Sequence, residues 1–205
     1  MARIKFTKGE LKKQRDALKQ YERYLPTLQL KKQQLQLEIL RQSVIFEEKK
    51  RNQEKIRQSV ISWIGLLEDP AISIKPYLIV NKITTGLKNI AGVDMPVYEK
   101  TEFSPAEYDL FLAPLWVDAA IDSLRDYISV DTELSIIEKG ILILKQELRI
   151  TTQRVNLFEK IKIPESKENI RLIKIYIGDQ LSNAVGRCKI AKRKIEELVL
   201  EGVGV

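Results

Sequence analysis

The sequence contains no histidine and a single cysteine, Cys188. The first absence removes the commonest general base and metal ligand together. The second excludes an internal disulfide and any multi-cysteine zinc site, and it points to a reducing compartment. Aromatic residues are 7% of the 205. No run of about 18 apolar residues occurs, so nothing reads as a bilayer span. Residues 1–15 lack the apolar core of a signal peptide. The expectation is a soluble chain with no direct membrane insertion.

Nothing present replaces the missing chemistry. The carboxylate pairs Glu47-Glu48 and Glu196-Glu197 fall on exposed helical faces without a pocket. Gly202-Val203-Gly204 follows no strand and precedes no lysine, so it reads as a flexible tail and not a phosphate loop. Cys188 falls in an apolar seam, reads as a small buried hydrophobe, and lacks a histidine to activate it. No catalytic, cofactor or metal constellation emerges, and the chain is expected not to be an enzyme.

What is abundant is charge, 31% of residues, together with Leu, Ile, Lys, Glu and Gln. That composition fits long helices. The clearest pattern runs over residues 134–158. Leu134, Ile137, Ile141, Leu144, Leu148, Val155 and Phe158, with Thr151 in the remaining position, recur at alternating gaps of three and four. This is the narrow stripe of a helix that packs along a partner helix.

The N-terminal end offers that partner. Thr7-Lys8-Gly9-Glu10 reads as a capping box. Leu11, Leu18 and Leu25 then recur every seven residues, continued by Ile39 and Phe46, while Tyr21, Leu28 and Leu35 form a second series. Leu30, Leu37, Leu40 and Val44 make a parallel track that widens the apolar face. Pro26 should bend this helix without ending it. Ile56, Val60, Trp63 and Leu67 carry it to Leu67, roughly 90 Å at ~1.5 Å per residue. Asp69-Pro70 stops it.

Residues 71–103 change character. Strands are expected over 77–84 and 93–101, with turns around Thr85-Gly86 and Ala91-Gly92, which make a small β-hairpin. Ser104-Pro105-Ala106-Glu107 restarts a helix, and Pro114 marks a second start or a kink after one or two turns. From Leu115 the chain can stay helical into the stripe. Pro164 interrupts, after which Ile170, Ile173, Ile177, Leu181, Ala184, Cys188, Ala191, Ile195 and Leu198 continue the seam. The two gaps of four through Ile173, Ile177 and Leu181 make it drift.

The expected fold is mainly α: a long antiparallel two-helix coiled coil of the N- and C-terminal segments, with a β-hairpin and short-helix insert where the chain turns round. In residue ranges this is an N-terminal shaft helix (1–68), a head (69–114) and a C-terminal shaft helix (115–205). Trp63 and Trp116 read as packing anchors at the head. Charge follows the same division. Residues 1–60 hold 16 Lys/Arg against 7 Asp/Glu, residues 61–159 hold 9 against 15, and residues 160–205 hold 10 against 6. Basic ends flank an acidic middle, a distribution suited to an acidic protein surface or to nucleic acid.

Three stretches carry a family resemblance. Asn89-Ile90-Ala91-Gly92-Val93-Asp94-Met95-Pro96-Val97 resembles the Asn-hydrophobic-Ala-Gly-Val-x-x-Pro signature of the D subunits of the V-type and archaeal-type rotary ATPases. Thr151-Thr152-Gln153-Arg154-Val155-Asn156-Leu157-Phe158-Glu159, with Ile163-Pro164, is similar to that family's Thr-x-Arg-Arg-Val-Asn-Ala-Leu-Glu…Ile-Pro segment. Gln153 replaces an arginine there, and Leu157-Phe158 replaces Ala-Leu. Tyr24-Leu25-Pro26-Thr27-Leu28, with Leu30-Lys31, is similar to its Pro-Thr…Leu…Leu-Lys start. The matches touch both helices and the insert in the right order.

The resemblance implies a non-catalytic central rotor shaft, cytoplasmic and peripheral to the membrane through its complex. It couples ATP hydrolysis or synthesis to ion transport, hydrogen ions included. The implied partners are the catalytic and non-catalytic nucleotide-binding subunits of the hexamer, the small F subunit of the central stalk, and the subunit linking the stalk to the membrane ring. On this reading the seam is Leu11, Leu18, Leu25, Leu28, Leu35, Ile39, Phe46, Leu134, Ile137, Ile141, Leu144, Leu148, Val155 and Phe158. The basic tip facing the hexamer is Lys12, Lys13, Arg15, Lys189, Lys192, Arg193 and Lys194, for which a solvated helix face is the plain alternative. Two other readings of the whole chain stand beside this one: a coiled-coil tether or scaffold, and a basic nucleic-acid-binding protein. The last has no reading motif and no interleaved aromatics to support it.

Overall fold

The computed structural model describes residues 5–68, 74–105, 114 and 116–202. In chain order these form helix α1 (Lys8–Ile61), 3-10 turns at Ile64–Glu68 and Lys75–Leu78, and strands β1 (Val80–Ile90) and β2 (Val93–Phe103). Helix α2 (Trp116–Leu157), a π turn (Phe158–Lys162) and helix α3 (Ile163–Gly202) follow. The described residues are mainly helical with one two-stranded antiparallel sheet, as the periodicity predicts. It divides into two compact units, Leu30–Thr152 and Met1–Gln29 with Gln153–Val205.

In the first unit, α1 and α2 run antiparallel. Lys31 pairs with Glu147 at 3.0 Å, Lys49 with Glu133 at 2.9 Å, and Gln53 donates to Asp131 at 2.8 Å. Partner numbers fall as the α1 numbers rise. Helix α1 stops at Ile61, earlier than the apolar spacing predicts. Ser62 Oγ donates to the Ser59 carbonyl at 2.7 Å, and the Trp63 N–H donates to the Val60 carbonyl at 3.2 Å. These short-range bonds tighten the end into 3-10 geometry. Trp63 and Leu67 still pack, together with Trp116, around Ile74, Val117, Ala120 and Ile121. The spacing marked burial correctly but not helical continuity.

The hairpin also departs from expectation. Thr85-Gly86 is no turn: β1 runs straight through it with a register irregularity between Thr84 and Thr85. The reversal occurs only at Ala91 (φ 52) and Gly92 (φ 76), between the paired Ile90 and Val93. Two successive residues at positive φ make the type I′ turn that matches strand twist. Asn89 braces it, accepting from the Gly92 N–H at 3.1 Å and donating to Asp94 Oδ1 at 2.6 Å. Residues 77–79 precede the strand, with Lys75–Leu78 in 3-10 geometry.

Ser104 closes the base of the hairpin. Its N–H donates to the Ile79 carbonyl at 3.0 Å and its hydroxyl to Asn81 Oδ1 at 2.9 Å. The short helix expected after it falls mostly on 106–113, outside the described residues, as do the stop at Asp69-Pro70, Leu115 and the tail at 203–205. Pro114 does precede a helix start: its carbonyl accepts the Val117 N–H at 3.0 Å.

In the second unit, Thr7 Oγ1 accepts the Glu10 N–H at 3.2 Å. Only half of the capping box forms, because Glu10 Oε1 accepts from Gln14 at 2.9 Å and the Thr7 N–H donates to the Lys5 carbonyl. Helix α1 continues through Pro26, and Thr27 Oγ1 donates to the Tyr24 carbonyl at 2.8 Å close to the proline. Here α1 runs antiparallel to the C-terminal segment. Phe6 lies 5.1 Å from Tyr176 and Tyr21 lies 5.2 Å from Phe158, ring centroid to centroid, and Glu22 pairs with Lys167 at 3.3 Å.

Pro164 does not break the helix. The π turn before it, closed by the Ile163 N–H donating to the Phe158 carbonyl, runs directly into α3, and Pro164 follows as the second residue of that helix.

Candidate functional site

With no reaction centre suggested by the sequence, the surfaces that could act are the seam and the two ends. In the Leu30–Thr152 unit, Leu35 and Leu144 are wholly inaccessible, and Leu134 and Ile141 are buried. Ile39, Phe46, Ile137 and Leu148 are half-buried. Leu35 and Leu144 share a core cluster with Met95 of β2, against which Ile39, Leu148 and the turn residues Ile90, Ala91 and Val93 pack. In the other unit Val155 is buried, while Leu11, Leu18, Leu25, Leu28 and Phe158 are half-buried.

The periodicity missed the residues that meet the hairpin. Gly140 is buried against Met95 of β2, and Arg125 Nη2 donates to the carbonyls of Tyr77 (2.9 Å) and Ser104 (2.6 Å). A glycine inside a helical pattern is the one available signal, since it often marks close approach of another element. Glu38 and Gln42 are buried too, and satisfied: Gln42 donates to Glu38 Oε1 at 2.8 Å.

The track of Leu30, Leu37, Leu40 and Val44 does not widen the core. All four are more than half exposed. Leu37 and Leu40, with Gln33, Gln36, Ile39 and Leu148, line an open groove of about 600 Å³.

Lys12, Lys13 and Arg15 are exposed near the start of α1, and Lys189, Lys192, Arg193 and Lys194 are exposed near the end of α3. Two carry same-helix partners, Lys192 with Glu196 at 3.6 Å and Arg193 with Glu197 at 2.9 Å. Exposed pairs of this kind hold little energy and leave both charges facing water. Closer to the π turn, Arg171 grips Glu168 with two bonds of 2.9 and 2.6 Å. That hydrogen bonding, with the guanidinium charge, holds the Glu168 carboxyl below its ordinary range and raises Arg171.

The seam expected beyond Ile177 is present as a pattern but is not buried. Leu181 is 56% and Ile195 61% exposed, and Cys188 is exposed, which corrects its reading as a buried hydrophobe. Helix α1 explains this. Phe6, just before its first turn, lies beside Tyr176 of α3, and α3 runs on to Gly202. Over that last stretch no described residue covers the stripe.

These features define a coiled-coil protein with exposed apolar and basic helix faces. The chain belongs to the family of ATP synthase D subunits, whose model matches residues 10–193. It is similar to a V-type ATP synthase D subunit of Borreliella burgdorferi, 45% identical over 95% of this chain and 96% of that one. It is also similar to proteins of the same name from Chlamydia trachomatis serovar L2 (30% identical; 96% and 98% covered) and Chlamydia felis (31%; 96% and 95%).

Proposed function

We propose that this chain is the central rotor shaft of a V-type rotary ATPase, a non-catalytic subunit that couples the nucleotide-binding hexamer to ion movement at the membrane ring. The observation that carries the reading is the end of α3. A helix that keeps its 3,4 apolar repeat past the end of its intramolecular partner, edged by exposed cations, is made to be surrounded by another protein. The seam residues supply stiffness, and the basic residues of both ends supply a diffuse attraction to an acidic bearing.

The partners on this reading are the catalytic and non-catalytic subunits of the hexamer, the small F subunit of the central stalk, and the subunit that joins the stalk to the ring. The exposed stripe of Leu30, Leu37, Leu40 and Val44 supports a protein partner besides the hexamer, because a second 3,4 repeat on one helix suits a second helix. No helix among the described residues is long and apolar enough to cross a membrane. A cytoplasmic position, held at the membrane through the complex, accords with that.

The test is reconstitution. The purified chain is mixed with hexamer subunits, and the assembly is weighed and assayed. One copy per hexamer with altered nucleotide turnover is expected, and no hydrolysis by the chain alone. Robust hydrolysis by the repurified chain, or failure to join the hexamer, overturns the proposal.

A further inference from the structure

The repeat that sets the seam gains one residue after Phe158. From Leu144 to Phe158 it advances by 4, 3, 4 and 3 positions. Continued unchanged, it would bring Lys162, Glu165, Asn169 and Leu172 into the seam. Ser166, Ile170 and Ile173 are buried instead, and Glu165 and Leu172 are exposed. Phe158 to Ser166 is eight positions, one more than a heptad. In a plain α-helix that excess would turn the following face away by about 100°. The π turn takes it up, because its bond from the Ile163 N–H reaches back five residues, to Phe158.

The hydrogen-bond ladder has a second gap just beyond, since Pro164 has no N–H to donate to the Lys160 carbonyl. On α1, Pro26 likewise has none for the Glu22 carbonyl, and the Thr27 hydroxyl bond to the Tyr24 carbonyl competes with the ladder there. The gaps in the two helices lie at one height. Tyr21 is 5.2 Å from Phe158, the first residue of the π turn, and Glu22 itself pairs with Lys167 at 3.3 Å. That pair is exposed and holds little. A gap in one helix is splinted by an intact neighbour. Gaps side by side leave neither helix to keep the other straight.

We propose that the level of Tyr21 and Phe158 is a bending joint, at which the helical pair of the second unit flexes about the coincident gaps at Pro26 and at the π turn with Pro164. The joint follows from the ladder and the seam alone. Its use rests on the rotor reading: an end that tilts keeps diffuse contact with a bearing whose walls change as it turns, where a straight rod would bind at one angle.

The experiment labels the full chain with spins at Arg154→Cys and Lys174→Cys, exposed positions on either side of the π turn, in a Cys188→Ser background. The spread of their distance reports bending. Pro26→Ala closes the gap in α1 alone. Deletion of Ile161 with Pro164→Ala closes those in the other helix and keeps Ser166 in phase, because the excess residue is gone. Either repair should splint the pair and narrow the spread by at least about half. Pro26→Ala should also slow amide exchange over 159–163, on the opposite helix, by at least about ten-fold. Circular dichroism checks each fold, and Pro26→Ala decides alone where the deletion does not fold. An unchanged spread in Pro26→Ala overturns the joint. In the reconstituted complex Pro26→Ala should keep one copy per hexamer and lower nucleotide turnover by at least about two-fold. Wild-type turnover with a narrowed spread overturns the use in rotation. A wild-type chain that fails to join the hexamer removes the rotor reading and leaves the joint standing.

Discussion

Leu35 of α1 and Leu144 of α2, 109 positions apart in the chain, are both at 0% accessibility in one cluster beneath the turn of the hairpin. Each comes from a different heptad series, and β2 supplies Met95 as the third member. The centre of this unit is thus a three-element junction, where a two-helix seam alone would leave a side open. The burial of Glu38 and Gln42, polar residues on α1, marks the same covered side.

Truncation there should be costly. Leu35→Ala or Leu144→Ala should each destabilise by about 2–5 kcal/mol, because a cavity is left among groups that cannot all collapse into it. The double variant should cost less than the summed effects, since the two share a cluster. Leu181→Ala, at a side chain 56% exposed, should change stability by no more than about 0.5 kcal/mol. Urea unfolding of the purified chain measures all four. A Leu181 effect as large as that at Leu35 would show that α3 is covered in solution.

The Glu168–Arg171 pair gives a prediction with a definite sign. The two hydrogen bonds from Arg171 lower the Glu168 pKa in the folded chain. Its contribution is therefore present above the pKa of an unfolded glutamate and is lost as pH falls through the lowered folded value. Both side chains are more than half exposed, so the global stability profile should hardly register it. Carboxyl NMR should: Glu168 should titrate below the ordinary value of a glutamate, and Arg171→Gln should raise it. Unchanged titration in that variant would mean the pair does not persist in solution.

Legibility from the sequence followed the range of the interactions. The long helices were readable because a 3,4 repeat is written locally, residue by residue, over dozens of positions. The tight turn at Ala91-Gly92 was readable for the same reason, as its glycine and bracing asparagine lie within four residues. Thr85-Gly86 also carries a glycine, without the asparagine, yet sits in mid-strand, because pairing with β2 overrides a turn preference. The spacing at Trp63 and Leu67 reported burial against Val117 and Ile121, residues far along the chain, and so could not say that the helix had already ended. Cys188 fits the seam as well as Leu144 does. The difference between them is only that α1 reaches one and not the other, which no periodicity records. The contact between Gly140 and Met95 is likewise tertiary; only a misplaced glycine hinted at it.

The last prediction concerns what the basic ends meet. A shaft turning in a bearing passes successive, chemically repeated walls, so one tight lock would stall it. Diffuse attraction changes little with angle and suits rotation better than a few deep pockets. Exposed ion pairs are individually worth about 0–1 kcal/mol, so single substitutions at Lys189, Lys192, Arg193 or Lys194 should barely alter assembly with the hexamer. Reversing all four charges should weaken it clearly at low salt and less at high salt, as screening shortens the reach of each charge. Duplex DNA, a denser array of anions, would bind a true nucleic-acid protein with a steep salt slope set by the number of phosphates contacted. Binding of the wild-type chain to hexamer and to duplex, measured across a salt series, separates the two. Tight duplex binding at physiological salt with no affinity for the hexamer would replace the bearing with a nucleic acid. Hexamer binding with a shallow slope, lost only when the four charges are reversed together, is the outcome expected of a shaft held by charge and free to turn.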